Sequence, residues 1–175
     1  MKNIIIRIII SIVVILVISA CSEEEESTTT DPFSCTGSSS GSGPTIGGVT
    51  LEEATYKSGT NSFAFVNSSS AHIVLSGGTP LCYTIDATST AASVLKTNSA
   101  NTGNATYGGV SLSGYDNVTA YYMKMKEGAW DDTPQTYHMY IYADTDSSFY
   151  INLWSSSKAT ADANFFMKDS AYTKQ

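Results

Sequence analysis

The residues best suited to ligand binding lie in the last third of the chain, where aromatic and polar side chains alternate. The segment TYHMYIYADTDSSFYINLW, residues 136–154, alternates on both sides of Asp144 and Asp146, which is typical of two antiparallel strands joined by a turn. A pyranose ring packs its C–H groups on aromatic rings, while amide, imidazole and ammonium groups hydrogen-bond its hydroxyls. Together with the preceding strand, the pattern predicts a glycan-binding face formed by Tyr122, Lys124, His138, Tyr140, Tyr142, Tyr150, Asn152 and Trp154.

The opposite side of these strands is apolar and predicts the core. Because side chains alternate between two faces, the core face is expected to carry Tyr137, Met139, Ile141, Phe149, Ile151 and Leu153. A register with Tyr140 opposite Tyr150 keeps both faces consistent. An alternative stays open for the aromatic face, since aromatic residues favour strands anywhere and cross-strand aromatic pairs stabilise a sheet without a ligand.

Other chemistry is scarce in this sequence. His72 and His138 accompany neither a nucleophile motif nor a zinc-ligand spacing, so we expect no enzymatic activity and no cofactor. Asp144 and Asp146 could ligate a structural calcium ion, but they lack the glycine and distal glutamate of a helix-loop-helix site, and a hairpin turn explains them more simply. After residue 20 the chain has seven lysines, no arginine and sixteen acidic residues, which argues against nucleic-acid binding.

The N-terminus predicts a targeting segment. Lys2 and Arg7 precede an aliphatic run, Ile8 to Ile18, which is shorter than the ~20 apolar residues that span a bilayer. The run ends in Ile18-Ser19-Ala20-Cys21, which resembles a bacterial lipobox. The resemblance implies a signal peptide over residues 1–20 and a lipidated Cys21, so that the protein is held on a membrane by acyl chains. The alternative is an uncleaved membrane anchor.

An acidic run follows this cysteine directly. Ser22-Glu23-Glu24-Glu25-Glu26 resembles the export signal of surface lipoproteins in the Bacteroidota. The resemblance implies a protein anchored in the outer membrane and facing the cell exterior. The alternative is that the acidic run is only a solvated tether.

A flexible linker is expected between the anchor and the folded domain. Residues 21–44 are rich in Ser, Thr and Gly and bury too little apolar surface to fold. Residues 45–175 suit one domain. Cys35 and Cys82 are the remaining cysteines, and an even pair outside the cytoplasm favours a disulfide. Two separate thiols are the alternative, because Cys35 lies in the linker.

Short segments of period two, separated by Gly, Ser, Asn and Asp, predict an all-β domain. Helical turns are expected over Thr88–Lys96 and a polar loop over Ser99–Gly109. The expected strands are Val49–Tyr56, Ser62–Val66, His72–Leu75, Cys82–Asp86, Val118–Lys126, Thr136–Ala143, Ser148–Trp154 and Asn164–Lys168. Their number and length favour a single antiparallel β-sandwich.

A further motif resembles jelly-roll modules of the carbohydrate-binding and adhesin type. Leu112-Ser113-Gly114-Tyr115 and Asn117-Val118-Thr119 match a segment that leads into a long strand in those modules. The resemblance implies a jelly-roll-like sandwich that serves either as a glycan binder or as a spacer. We therefore expect a non-enzymatic, surface-anchored binding module, with a structural or assembly lipoprotein that docks on a cell-envelope protein as the alternative.

Overall fold

The computed structural model describes residue 35 and residues 39–128, 133–168 and 170–175, and it confirms that the domain is all-β. The described residues form twelve strands and one short helix. These are β1 Ser42–Ile46, β2 Val49–Glu52, β3 Thr55–Ser58, β4 Asn61–Asn67, β5 Ser70–Val74, β6 Leu81–Thr97, β7 Asn104–Tyr107, β8 Val110–Ser113, β9 Tyr115–Glu127, β10 Thr136–Thr145, β11 Ser148–Ile151, α1 Lys158–Ala163 and β12 Tyr172–Lys174.

Eight of these strands form a closed barrel instead of the two-layered jelly-roll sandwich that we expected. The strand order is β10-β11-β12-β3-β4-β5-β6-β9, and β9 pairs again with β10. All neighbours are antiparallel. Closure leaves no free edge in the eight-stranded sheet, so a single sheet encloses the core. The strand β1 pairs with β2, and β7 pairs with β8, as separate hairpins.

The barrel interior is filled by the apolar side of each strand, as the alternation predicted for the C-terminal strands. Met139 and Ile141 from β10, and Phe149 and Ile151 from β11, are fully buried there. The hairpin β1–β2 covers part of the barrel, and its Leu51 is also fully buried in the same core.

The strands β6 and β9 form a ribbon that continues beyond the barrel. Their pairing runs from Tyr83 opposite Glu127 to Thr97 opposite Tyr115, with a bulge between Ala87 and Ala91. The helical turns expected over Thr88–Lys96 are therefore wrong, because pairing with β9 satisfies this backbone in an extended form. Tertiary pairing overrides a weak local helix preference.

The loop expected over Ser99–Gly109 contains a strand that sequence reading missed. Its β7 joins β8 through Gly108 and Gly109, whose φ angles are +57° and +80°. Two consecutive left-handed residues are what a tight two-residue hairpin turn requires, and glycine adopts them without steric cost.

The C-terminal strands keep the predicted faces but differ in register. Ile141 pairs with Ile151, and Tyr142 pairs with Tyr150, so the predicted pairing of Tyr140 with Tyr150 is wrong by two residues. A shift of two leaves each side chain on its face. The strand β11 ends at Ile151, and the strand expected over Asn164–Lys168 is reduced to one parallel bridge between Phe166 and Leu95.

The linker is bonded to the barrel before its first strand. Cys35 and Cys82 form the expected disulfide, with their Cα atoms 5.2 Å apart. The carboxylate of Glu53 then accepts hydrogen bonds from the Ser39 hydroxyl and from the backbone N–H groups of Ser40 and Gly41. The chain is thus held against the domain at residue 35 and again at residues 39–41.

The anchor that we expect at Cys21, and the export signal Ser22 to Glu26, lie outside the described residues. Among the residues that are described, no helix is both long enough and apolar enough to cross a membrane.

Candidate functional site

The predicted aromatic face lies on the outside of the barrel, but the C-terminal segment covers its centre. Tyr122 and Tyr140 are opposite each other on β9 and β10. Both are buried in a second apolar cluster that also contains Val94, Ala120 and Met167. Two tyrosines expected to contact a ligand therefore contact the protein instead.

Residues of α1 hold this cover in place. The Tyr140 hydroxyl donates to Asp162 Oδ1 at 3.1 Å, and the Lys158 ammonium donates to the same oxygen at 2.7 Å. Lys158 also lies 4.9 Å from the centre of the Tyr122 ring. The hydrogen bond from Lys158, reinforced by that from Tyr140, lowers the pKa of Asp162, while burial and the neighbouring Asp162 raise the pKa of Tyr140.

Asn152 organises the same cover, and its side chain has no capacity left for a ligand. Its Oδ1 accepts from the backbone N–H groups of Tyr140 and Leu153, both at 2.8 Å. Its Nδ2 donates to the carbonyls of Ala161 and Asn164, both at 3.0 Å. The residue is only 2 % exposed, so its contacts are structural and the placement on an open face is wrong.

Trp154 lies on the other side of the sheet from the predicted face. The strand β11 ends at Ile151, so the alternation no longer applies three residues later. The Trp154 ring stacks on Phe63 of the barrel core at 5.0 Å between ring centres, and its edge meets Tyr137. The prediction that it belongs to the outer face is therefore wrong.

Lys124 and His138 lie at the polar margin of the face. Lys124 forms an ion pair with Asp86 on β6 at 3.3 Å, and both side chains are about half exposed. The His138 ring stacks beside Tyr122, with its Nδ1 2.6 Å from the Tyr122 hydroxyl. His138 also exchanges two backbone hydrogen bonds with Ser155, which ties it to the covering segment.

Tyr142 and Tyr150 are the tyrosines of the predicted face that stay partly accessible. Both rings are half-buried, and they stack at 6.3 Å with an angle of 29° between planes. The Lys96 ammonium lies 4.4 Å from the centre of the Tyr150 ring. The Tyr142 hydroxyl donates to the exposed Asp144 carboxylate at 3.2 Å.

A cleft of about 450 Å³ lies between the β1–β2 hairpin, β9 and β10, and Tyr142 is one of the residues that line it. Its walls carry the Tyr121 ring, the Thr119 hydroxyl, the Asn117 amide and the Asp144 carboxylate. Its volume falls within the range of small-molecule sites. We call this space the Tyr121 cleft.

Sequence reasoning missed Tyr121 because its alternation places it on the core side of β9. It lies where β9 leaves the barrel, and the β1–β2 turn rests on its ring. A Cβ atom at Gly47 would approach Tyr121 Cε2 to 2.1 Å, and Gly47 has a φ of +58°. A glycine is required here for both reasons, and the pair of glycines at 47 and 48 was the available sequence signal.

Asp146 lies in the turn between β10 and β11, whereas Asp144 lies in β10. The carbonyl of Asp146 accepts hydrogen bonds from the Glu52 N–H and the Tyr56 hydroxyl. Within the described part of the chain, no group of three or more His, Cys, Asp or Glu side chains is arranged to hold a metal ion.

Comparisons with known proteins identify no relative of this chain. No protein-family model, no curated protein and no solved structure matches the chain.

Proposed function

We propose that this protein is a lipid-anchored, non-enzymatic module that binds glycans outside the cell. The observation that carries the proposal is the Tyr121 cleft together with the accessible Tyr142 and Tyr150 rings beside it. Aromatic surface next to amide, hydroxyl and carboxylate groups is the combination that a sugar ring needs, because its C–H faces are apolar and its edges are polar.

Each group of the cleft has a defined part in this proposal. The Tyr121 and Tyr142 rings would contact the C–H face of a pyranose. Thr119 and Asp144 are both exposed. Both can therefore hydrogen-bond sugar hydroxyls without disrupting the fold. Asn117 already exchanges hydrogen bonds with the Thr106 backbone, so it would shape the rim of the cleft.

The location rests on the N-terminal sequence. We propose that Cys21 carries the lipid in the outer membrane and that Ser22 to Glu26 direct the protein to the cell exterior. The Cys35–Cys82 disulfide supports a compartment outside the cytoplasm, since disulfides persist in oxidising surroundings.

A glycan array probed with the full-length protein in detergent tests the binding. The wild type is expected to retain a defined set of glycans, and Tyr142→Ala is expected to lose them. Tyr107→Ala is the matched control, because Tyr107 is an exposed tyrosine of the β7–β8 hairpin and does not line the cleft. Absence of any retained glycan, or equal loss in both variants, would contradict the proposal.

A second surface favours the alternative, an assembly lipoprotein that docks on a protein partner. Tyr107, Val110 and Phe166 are exposed apolar side chains. Tyr107 stacks on Phe165 at 3.8 Å, and Phe166 packs beside it. Contiguous exposed apolar surface often marks protein interfaces. Crosslinking on intact cells that depends on Phe166, with an array negative for glycans, would support this alternative.

A further inference from the structure

We infer that the Tyr121 cleft selects uncharged oligosaccharides and rejects acidic ones, and that the bound chain extends past Tyr121 into a neighbouring depression. This inference rests on the proposed glycan-binding function. It adds the chemical class of the ligand and the path that the ligand takes.

The charged groups on the walls of the cleft favour an uncharged ligand. Of the described residues that line the cleft, one is a carboxylate, Asp144, and none is a lysine, arginine or histidine. Asp144 and the more distant Asp116 both raise the pKa of Tyr142, after the larger effect of burial. Asp144 therefore places a negative charge, and no compensating positive charge, among the described lining residues. A uronate or sulfate group would meet repulsion without a cationic partner.

Lys96, which lies beside Tyr150, does not change that balance. Lys96 lies over the Tyr150 ring, and its register partner on β9 is Asp116. Its charge is thus placed beside an aromatic face and an acidic neighbour, outside the walls of the cleft. The whole chain, with a net charge of −7, adds to the repulsion of anions.

A second depression of about 350 Å³ adjoins the cleft and shares Gly47 and Tyr121 with it as lining residues. Hydroxyl groups of Thr45, Thr88 and Ser89 line it, and the described lining residues are all uncharged. Gly47 and Tyr121 therefore line both depressions, and a chain of linked sugars long enough to fill both would pass this contact.

Paired titrations test the inference with the full-length protein in detergent. The uncharged probes are cellohexaose, mannohexaose and xylohexaose, and the acidic probe is hexagalacturonate of the same length. At least one uncharged probe is expected to bind, with a Kd about tenfold or more below that of hexagalacturonate. Tyr121→Ala is expected to raise this Kd about tenfold or more, as truncation of a central aromatic contact does, whereas Tyr107→Ala leaves it unchanged.

A charge reversal tests the electrostatic argument separately from folding. Asp144→Lys is expected to tighten hexagalacturonate binding about tenfold, because it replaces a repulsive charge with an attractive one. Thermal melts of Tyr121→Ala and Asp144→Lys show whether each variant is folded. If Tyr121→Ala does not fold, Thr88→Lys and Thr119→Lys test the two depressions instead, and each is expected to weaken binding of the uncharged probe.

The results of these experiments distinguish a wrong ligand class or path from a wrong proposed function. Tight binding of hexagalacturonate to the wild type, lost in Tyr121→Ala, would overturn the uncharged class and leave glycan binding in place. Binding that survives both Thr88→Lys and Thr119→Lys would overturn the path past Tyr121. If no glycan binds, either on the array or in titration, the proposed function itself is wrong.

Discussion

The replacement Asn152→Ala tests whether this side chain holds the covering segment or faces a ligand. The change removes two acceptor contacts and two donor contacts at once, all to backbone groups on β10, the segment after β11 and the end of α1. A hydrogen bond contributes about 0.5–1.5 kcal/mol to stability, and a buried group left unpaired costs more. Because water can reach some of these groups in the variant, we expect the free energy of unfolding to fall by about 3 kcal/mol.

Urea unfolding and thermal melts measure this loss. For a domain of this size, about 3 kcal/mol corresponds to a Tm lower by roughly 10 °C. Asn104→Ala is the matched control, because Asn104 is exposed and its side chain accepts one hydrogen bond, from Ser111. The control is expected to change stability by less than about 0.5 kcal/mol.

A loss below about 1 kcal/mol for Asn152→Ala would refute this reasoning. If such a stable variant also binds no glycan, Asn152 returns to the ligand-binding role that the sequence pattern suggested.

Three further predictions concern other contacts. Trp154→Ala is expected to lower stability by about 3 kcal/mol in urea melts, because the partly buried ring stacks on Phe63 of the barrel core; a loss below about 1 kcal/mol would place Trp154 outside. Cys35→Ser and Cys82→Ser are each expected to cost about 2–4 kcal/mol by opening a loop of 47 residues, and unchanged melts would contradict the disulfide. By NMR titration, the Asp162 carboxyl is expected to titrate below its ordinary pKa and to shift upward in Lys158→Gln; an unchanged value would exclude the Lys158 hydrogen bond as the cause.

The sign of the Asp162 effect fixes its pH dependence. Its pKa is lower in the folded than in the unfolded state, so the interaction stabilises the fold above the unfolded pKa. This contribution is lost as the pH falls through the folded pKa. The contact between α1 and Tyr140 is therefore expected to weaken in acid.

Local alternation predicted the strands and faces where the chain is regular. Met139, Ile141, Phe149 and Ile151 are in the core as expected, because a strand has only two faces and one of them is apolar. The disulfide joins the two cysteines that remain if Cys21 carries a lipid, as we propose, and it was expected on that basis.

Features that depend on distant parts of the chain could not be predicted in this way. Trp154 changes side because β11 ends three residues earlier, and the end of a strand depends on its partners. Closure into a barrel depends on the pairing of β9 with β10 and with β6 at once. The Tyr121 cleft forms only when the β1–β2 turn packs on the Tyr121 ring. The contacting residues are more than seventy positions apart in the sequence, so no local pattern predicts this contact.

The most direct test of the central claim is to map a bound oligosaccharide on the folded protein by NMR. With the uncharged probe that binds in titration, the largest amide shift changes are expected around Thr119, Tyr121, Tyr142 and Asp144, with smaller changes around Thr88. Shift changes centred on Tyr107 and Phe166, with none around Tyr121, would contradict the account and place binding on the β7–β8 surface.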